Sequence, residues 1–143
     1  MAITQAVLVN DGGAPARIIN FEANEAITAG AACEVLSTGK VQMHDTAIEL
    51  VAGFALTDAA SGGMVSLVTG SGIVLNVHLD ATADIDVGDN LEMAVGDGGA
   101  LSKIANTDGL AIAIALEAAT GTATEHASSS DGGGVQLFKV LVK

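Results

Sequence analysis

The chain contains the stretch Ile27-Thr28-Ala29-Gly30-Ala31-Ala32-Cys33-Glu34-Val35. Fifty-eight positions later it contains the similar stretch Ile85-Asp86-Val87-Gly88-Asp89-Asn90-Leu91-Glu92-Met93. Isoleucine, glycine and glutamate occupy matching places in both stretches. A sequence that repeats itself at a fixed offset is typical of a fold built from two copies of one unit.

A second similarity lies downstream of each stretch. Residues 54–62 resemble residues 114–121 with one residue dropped, and each copy then ends in a Gly-rich turn and an apolar strand, at 64–68 and 135–142. Neither copy could bury its apolar face alone, so we predict two strand-turn-strand units that share one core. The alternative is a chance similarity within a chain rich in Ala and Gly.

Short apolar segments separated by Gly-rich turns fill most of the chain, which predicts an all-β fold, a small barrel or a sandwich. We predict strands at 32–36, 41–44, 51–56, 64–68, 72–78, 90–94, 101–104, 110–117 and 135–142. A single helical turn is indicated near 47–50. Residues 1–20 form either an extended arm or an edge strand, and residues 21–143 form a single β domain.

The composition of the 143 residues excludes several functions. Seventeen acidic residues face five basic ones, a net charge of -12, which disfavours binding to nucleic acid or to anionic membranes. The acidity fits either a high-salt environment or a basic partner. No apolar run approaches the ~18 residues of a membrane helix, and the first residues do not resemble a signal peptide. We expect a chain made in the cytoplasm.

The three histidines are the first candidates for catalysis. His44 precedes Asp45, and His78 lies two residues before Asp80, which is the minimum for a general base. No serine or cysteine stands in a nucleophile motif, so we predict solvated histidines at strand ends and no enzyme activity or cofactor. The single Cys33 is predicted to be a small buried hydrophobe.

One acidic turn offers oxygen ligands. Asp84, Asp86 and Asp89 are weak candidates for binding calcium, since hard cations prefer carboxylates, but their spacing is not that of an EF-hand. Alternation with Ile85 and Val87 also describes the exposed face of a strand. A calcium-dependent module or enzyme that uses this turn with His78 and Asp80 is one hypothesis. The polar segment 120–134 is a long loop, either functional or disordered.

The chain resembles the decoration, or cement, proteins of tailed-phage capsids. The resemblance rests on short apolar and glycine phrases: Ala26 to Ala32, Val51 to Leu56, Ala59 to Val65, Val68 to Val74, Ile85 to Leu91 and Ala113 to Ala119. It implies a compact β-barrel or β-tulip domain without enzyme activity, trimeric, on the outside of the capsid at local threefold positions. Two features depart from the family pattern: Ala29-Gly30-Ala31 stands where an aspartate is typical, and the loop 120–134 is long and polar.

The sequence therefore predicts a virion decoration protein, with the major capsid protein as its partner and a homotrimer as its assembly. The apolar N-terminal stretch could pair with a strand edge on the capsid, or serve as an edge strand of the chain's own domain. Alternative functions are a tail or fibre component and a surface-array adhesin. The capsid-contact candidates are Ile3, Gln5, Val7, Val9 and Arg17.

Overall fold

The computed structural model describes residues 6–10, 16–43, 51–80, 84–93, 99–104, 111–119 and 137–143. All regular secondary structure in these ranges is β-strand, which confirms the all-β prediction. The strands are β1 (Leu8–Asn10), β2 (Arg17–Glu22), β3 (Ala32–Val35), β4 (Val41–Met43), β5 (Gly53–Ala55), β6 (Met64–Thr69), β7 (Val74–Val77), β8 (Leu79–Asp80), β9 (Asn90–Met93), β10 (Leu101–Lys103), β11 (Ala113–Ala115) and β12 (Phe138–Val142). The helical turn predicted near 47–50 and the loop 120–134 lie outside the described residues.

The strands form two sheets. The first sheet has the order β2-β6-β5-β3-β4, and the second has the order β1-β7-β12-β11-β9-β10-β8. Every named strand pair is antiparallel except β8 with β10. The sheets pack in a sandwich-like arrangement and do not close into a barrel, which corrects the barrel and tulip expectation.

The reason for the sandwich lies in the first sheet, which buries side chains on both faces. Ala32, Phe54 and Val68 on one face join the large core that includes the second sheet. Their chain neighbours point the opposite way because side chains alternate along a strand. Cys33, Ala55 and Leu67 accordingly belong to a separate core within the first half. The first sheet thus faces the large core on one side and a smaller core, filled by the first repeat itself, on the other.

The internal repeat is confirmed. Residues 17–69 and 74–142, called the first and second repeats, have the same strand order, with β2, β6, β5, β3 and β4 matching β7, β12, β11, β9 and β10. Their hydrogen bonds match as well. The Gly30 N–H donates to the Ala55 carbonyl and the Gly88 N–H to the Ala115 carbonyl, both at 2.8 Å.

The turn before the matching strands β3 and β9 explains why glycine recurs. Gly30 has φ of +85° and Gly88 has φ of +94°, a region that side chains with a Cβ rarely adopt. Ile27 and Ile85 precede these turns, and each pairs with one alanine of its own repeat, Ala59 or Ala119. The glycine sets the turn and the isoleucine anchors it in the core.

Besides sharing the large core, the two repeats meet at a backbone junction. The Ala32 N–H donates to the Gly99 carbonyl at 2.9 Å, and the His78 N–H donates to the Gly30 carbonyl at 3.2 Å. A Cβ on Gly99 would lie 2.7 Å from the Cβ of Ala31, so the backbones approach closely. We call this the repeat junction; its residues are Thr28, Gly30, Ala31 and Ala32 of the first repeat, and His78, Gly99, Ala100 and Leu137 of the second.

Candidate interaction surface

His78 does not belong to a solvated site. Its side chain is fully buried, and its Nε2 lies 3.3 Å from the Thr28 Oγ1 across the repeat junction. The prediction of a solvated strand-end histidine is therefore wrong for His78. The sequence could not show this, because Thr28 is 50 positions away. His44 and His126 lie outside the described residues.

The acidic turn is organised by its own hydrogen bonds. The Asp89 Oδ2 accepts the Asp86 N–H at 2.8 Å and lies 2.9 Å from the Lys103 Nζ. The bond from the Asp86 backbone, followed by that from Lys103, lowers the pKa of Asp89 because both favour the charged carboxylate. Among the described residues, which include Asp84, no group of three acidic, histidine or cysteine side chains is arranged to hold a metal.

Cys33 is fully buried, as the sequence predicts. Burial, with a smaller contribution from the Glu25 charge, raises the pKa of its thiol to about 12. The thiolate is the reactive form of cysteine, so Cys33 is a core residue and not a nucleophile. Within the described ranges there is also no helix long and apolar enough to cross a membrane.

The strand β2 has an edge that no described strand covers, and it carries exposed apolar side chains. Its described partner is β6 alone, and its Ile18 and Ile19 side chains are 55% and 46% exposed. The matching strand of the second repeat, β7, has a covered edge. There β1 pairs with it, the Asn76 N–H donates to the Val7 carbonyl, and the Asn76 Nδ2 donates to the Ala6 carbonyl, both at 2.8 Å.

The capsid-contact candidates separate into three groups. Ile3 and Gln5 lie outside the described residues. Val7 is buried in the core beside β7, so its side chain packs within its own chain. Val9 is 46% exposed and Arg17 is exposed at the start of β2. The described part of the N-terminal stretch, β1, thus pairs within the chain's own domain. Sequence reasoning did not identify Ile18 and Ile19 of β2 as exposed apolar residues.

A shallow groove lies where the ends of the two repeats come together. Its volume is about 310 Å³, at the low end for small-molecule sites. Its lining includes Phe54, Thr69, Ile112 and Val142, with the C-terminal Lys143 at the rim. Among the described residues, the lining holds no acidic side chain and no histidine.

Comparison with known proteins gives a fold and no family. No protein-family model matches the chain, and no curated protein matches it. A solved structure does: the head fiber gp8.5 N base in bacteriophage phi29 aligns with a TM-score of 0.63. The alignment covers 90% of this chain and 95% of that one, at 15% sequence identity. The shared property is the fold. Residue roles do not transfer at this identity.

Proposed function

We propose that this protein is a structural component of a phage virion that binds the outer surface of the capsid shell and stabilises it. The observation that carries the proposal is the fold match with the N base of a phage head fibre over 90% of the chain. The short apolar and glycine stretches that resemble capsid decoration proteins also support a role on the capsid. The proposal includes no catalytic role and no cofactor, because the described histidine and cysteine are buried in packed interiors.

The contact surface that we propose is the edge of β2 that no described strand covers. Unpaired backbone groups on an edge strand can pair with an extended segment of another protein, and neighbouring apolar side chains then supply buried area. Ile18, Ile19 and Arg17 lie on this strand, whereas Val9 lies on β1 in the second sheet. A net charge of -12 favours a basic partner surface.

Weak individual contacts suit a protein present in many copies. The chain has three Phe and no Trp or Tyr, and the large aromatic side chains are the usual anchors of tight interfaces. A homotrimer that binds three sites at once would gain overall affinity from the high effective concentration of its second and third contacts, without stronger single contacts. Self-association is therefore part of the proposal.

Binding to undecorated capsids tests the proposal. Purified protein should co-sediment with capsids to a saturating ratio, and Ile19→Lys should weaken binding roughly tenfold or more, since a charge replaces an apolar contact. Leu116→Lys, which changes an exposed side chain outside this edge, is the matched control and should bind normally. Absence of saturable binding at every ionic strength would refute the capsid role.

A head-fibre base is the second candidate, favoured by the description of the structural neighbour. Electron microscopy of the native particle separates the two. Decoration requires this density at many equivalent positions of the shell, without a projecting fibre. A fibre base requires an elongated projection continuing outward from each copy.

A further inference from the structure

In the repeat junction, one surface of the first repeat is buried against a different surface of the second. Each repeat also has a copy of the surface that the other one uses there. Within the chain, the turn before β3 in the first repeat packs against the turn before β10 in the second. Every junction residue of known exposure except Thr28 is buried, and Ala31, Ala100 and Leu137 are at most 1% exposed. The second repeat has its own turn before β9, which matches the turn before β3. The first repeat has its own turn before β4, which matches the turn before β10.

Strand register identifies the matching positions. The end of the second repeat carries Asp86, Val87, Gly88, Asp89 and Asn90, which match Thr28, Ala29, Gly30, Ala31 and Ala32. The end of the first repeat carries Glu22, Gly39, Lys40 and Met64, which match His78, Gly99, Ala100 and Leu137. We call these two surfaces the Val87 end and the Met64 end.

Among the described residues, both ends are open where the junction is closed. A Cβ added to Gly88 or Gly39 would meet nothing within 4 Å, whereas one on Gly30 or Gly99 would meet the other repeat at 2.8 or 2.7 Å. The two most exposed large hydrophobic side chains among the described residues are Met64, at 66%, and Val87, at 65%. One lies at each end.

We propose that a second copy of this chain docks its Val87 end onto the Met64 end of the first, in the geometry of the repeat junction. Met64 would then cover Gly88 as Leu137 covers Gly30. The contact is heterologous, so copies add head to tail and either close into a ring or continue as a filament. The proposal specifies the surface for the self-association included in the proposed function.

Charge at the two ends is mixed. Lys40 lies at the Met64 end, with its Nζ 2.9 Å from the Glu22 carboxylate, and the opposing Val87 end carries Asp86 and Asp89. Docking in the junction geometry would bring Glu22 close to Asp86, because these residues match His78 and Thr28, whose side chains lie 3.3 Å apart. The matching backbone geometry and the exposed Met64 and Val87 side chains therefore carry the docking, and charge does not. A monomer is the outcome that would contradict it.

Two single variants and their mixture test the proposal. We expect wild-type protein to be oligomeric by light scattering, and Met64→Asp and Val87→Asp each to weaken association roughly tenfold or more by burying a charge at the interface. Ile18→Asp changes another exposed apolar side chain, on β2 and away from both ends, and should leave the mass unchanged. Circular dichroism and thermal melting show that each variant is folded.

The mixture gives the decisive result. Met64→Asp protein keeps an intact Val87 end, and Val87→Asp protein keeps an intact Met64 end. Mixed at equal concentration, the two variants should form a dimer that neither forms alone. A monomeric wild type, unchanged oligomers in both variants, or a mixture that stays monomeric would each overturn the proposal. If a monomeric protein still bound capsids, the docking would be refuted and the proposed capsid role would remain supported.

Discussion

The first and second repeats have the same strand order and the same turn glycines, yet their cores and surroundings differ. The two repeats fill matching strand positions differently: Leu91 of the second stands where the first has Cys33, whereas Phe54 of the first stands where the second has Ile114. The outer strand β7 of the second repeat is covered by β1, whereas within the described residues β2 of the first repeat pairs with β6 alone. The first repeat also exposes more large apolar side chains, among them Ile18, Ile19 and Met64.

The sharpest way to test this comparison uses two glycines with the same backbone conformation. Gly99 has φ of +81° and Gly39 has φ of +82°, so Ala at either position costs about 1–2 kcal/mol of backbone strain. At Gly99 the new methyl group would also lie 2.7 Å from the Ala31 Cβ, and this overpacking adds about 1–3 kcal/mol. Urea denaturation should show the larger loss for Gly99→Ala.

Gly39→Ala is the control for that experiment, since nothing lies within 4 Å of its added Cβ. Equal losses of unfolding free energy for the two variants would mean that the repeat junction is not as tight as described. An end-to-end contact between copies would appear in the same data, because the wild type would then gain more stability than Gly39→Ala as protein concentration rises.

The repeat was predictable from sequence because its signal is local. An isoleucine anchor, a turn glycine at positive φ and an apolar strand recur in the same order, and each is set by residues within nine positions. The positions of the strands were predictable from the sequence for the same reason. The two-residue strand β8 was missed, since Leu79 and Asp80 form a strand only through their pairing with β10.

What the sequence could not predict depends on distant contacts. His78 is next to Leu79 and near Asp80, which suggests a polar strand end, but Thr28 and the junction bury it. The sequence left a barrel and a sandwich open, because apolar side chains on both faces of β3 and β5 can fill either a rolled or a layered core. The same limit applies to the edge of β2, since the pairing of β1 with β7 and not with β2 is itself a distant contact.

A second test compares the cores of the repeats. Leu91→Ala should cost about 2–5 kcal/mol of unfolding free energy, because it leaves a cavity in the large core. Cys33→Ala at the matching position removes one sulfur atom and should cost about 1 kcal/mol. Guanidinium denaturation of both variants measures their losses of unfolding free energy and shows which is larger. A Cys33→Ala loss as large as that of Leu91→Ala would show that the smaller core tolerates cavities less well.

The smallest expected effect is the alkaline titration of Cys33. Burial raises the pKa of this thiol from 9.0 to about 12, so between these values the unfolded chain releases a proton that the native protein keeps. Stability then falls as pH rises, by about 1 kcal/mol at pH 10. Cys33→Ala lacks this group, and the difference between the two proteins isolates its contribution from that of the lysines. Parallel stability curves for both proteins from pH 8 to pH 10.5 would mean that the thiol is accessible in the native state, and a thiol reagent would then modify Cys33 without unfolding.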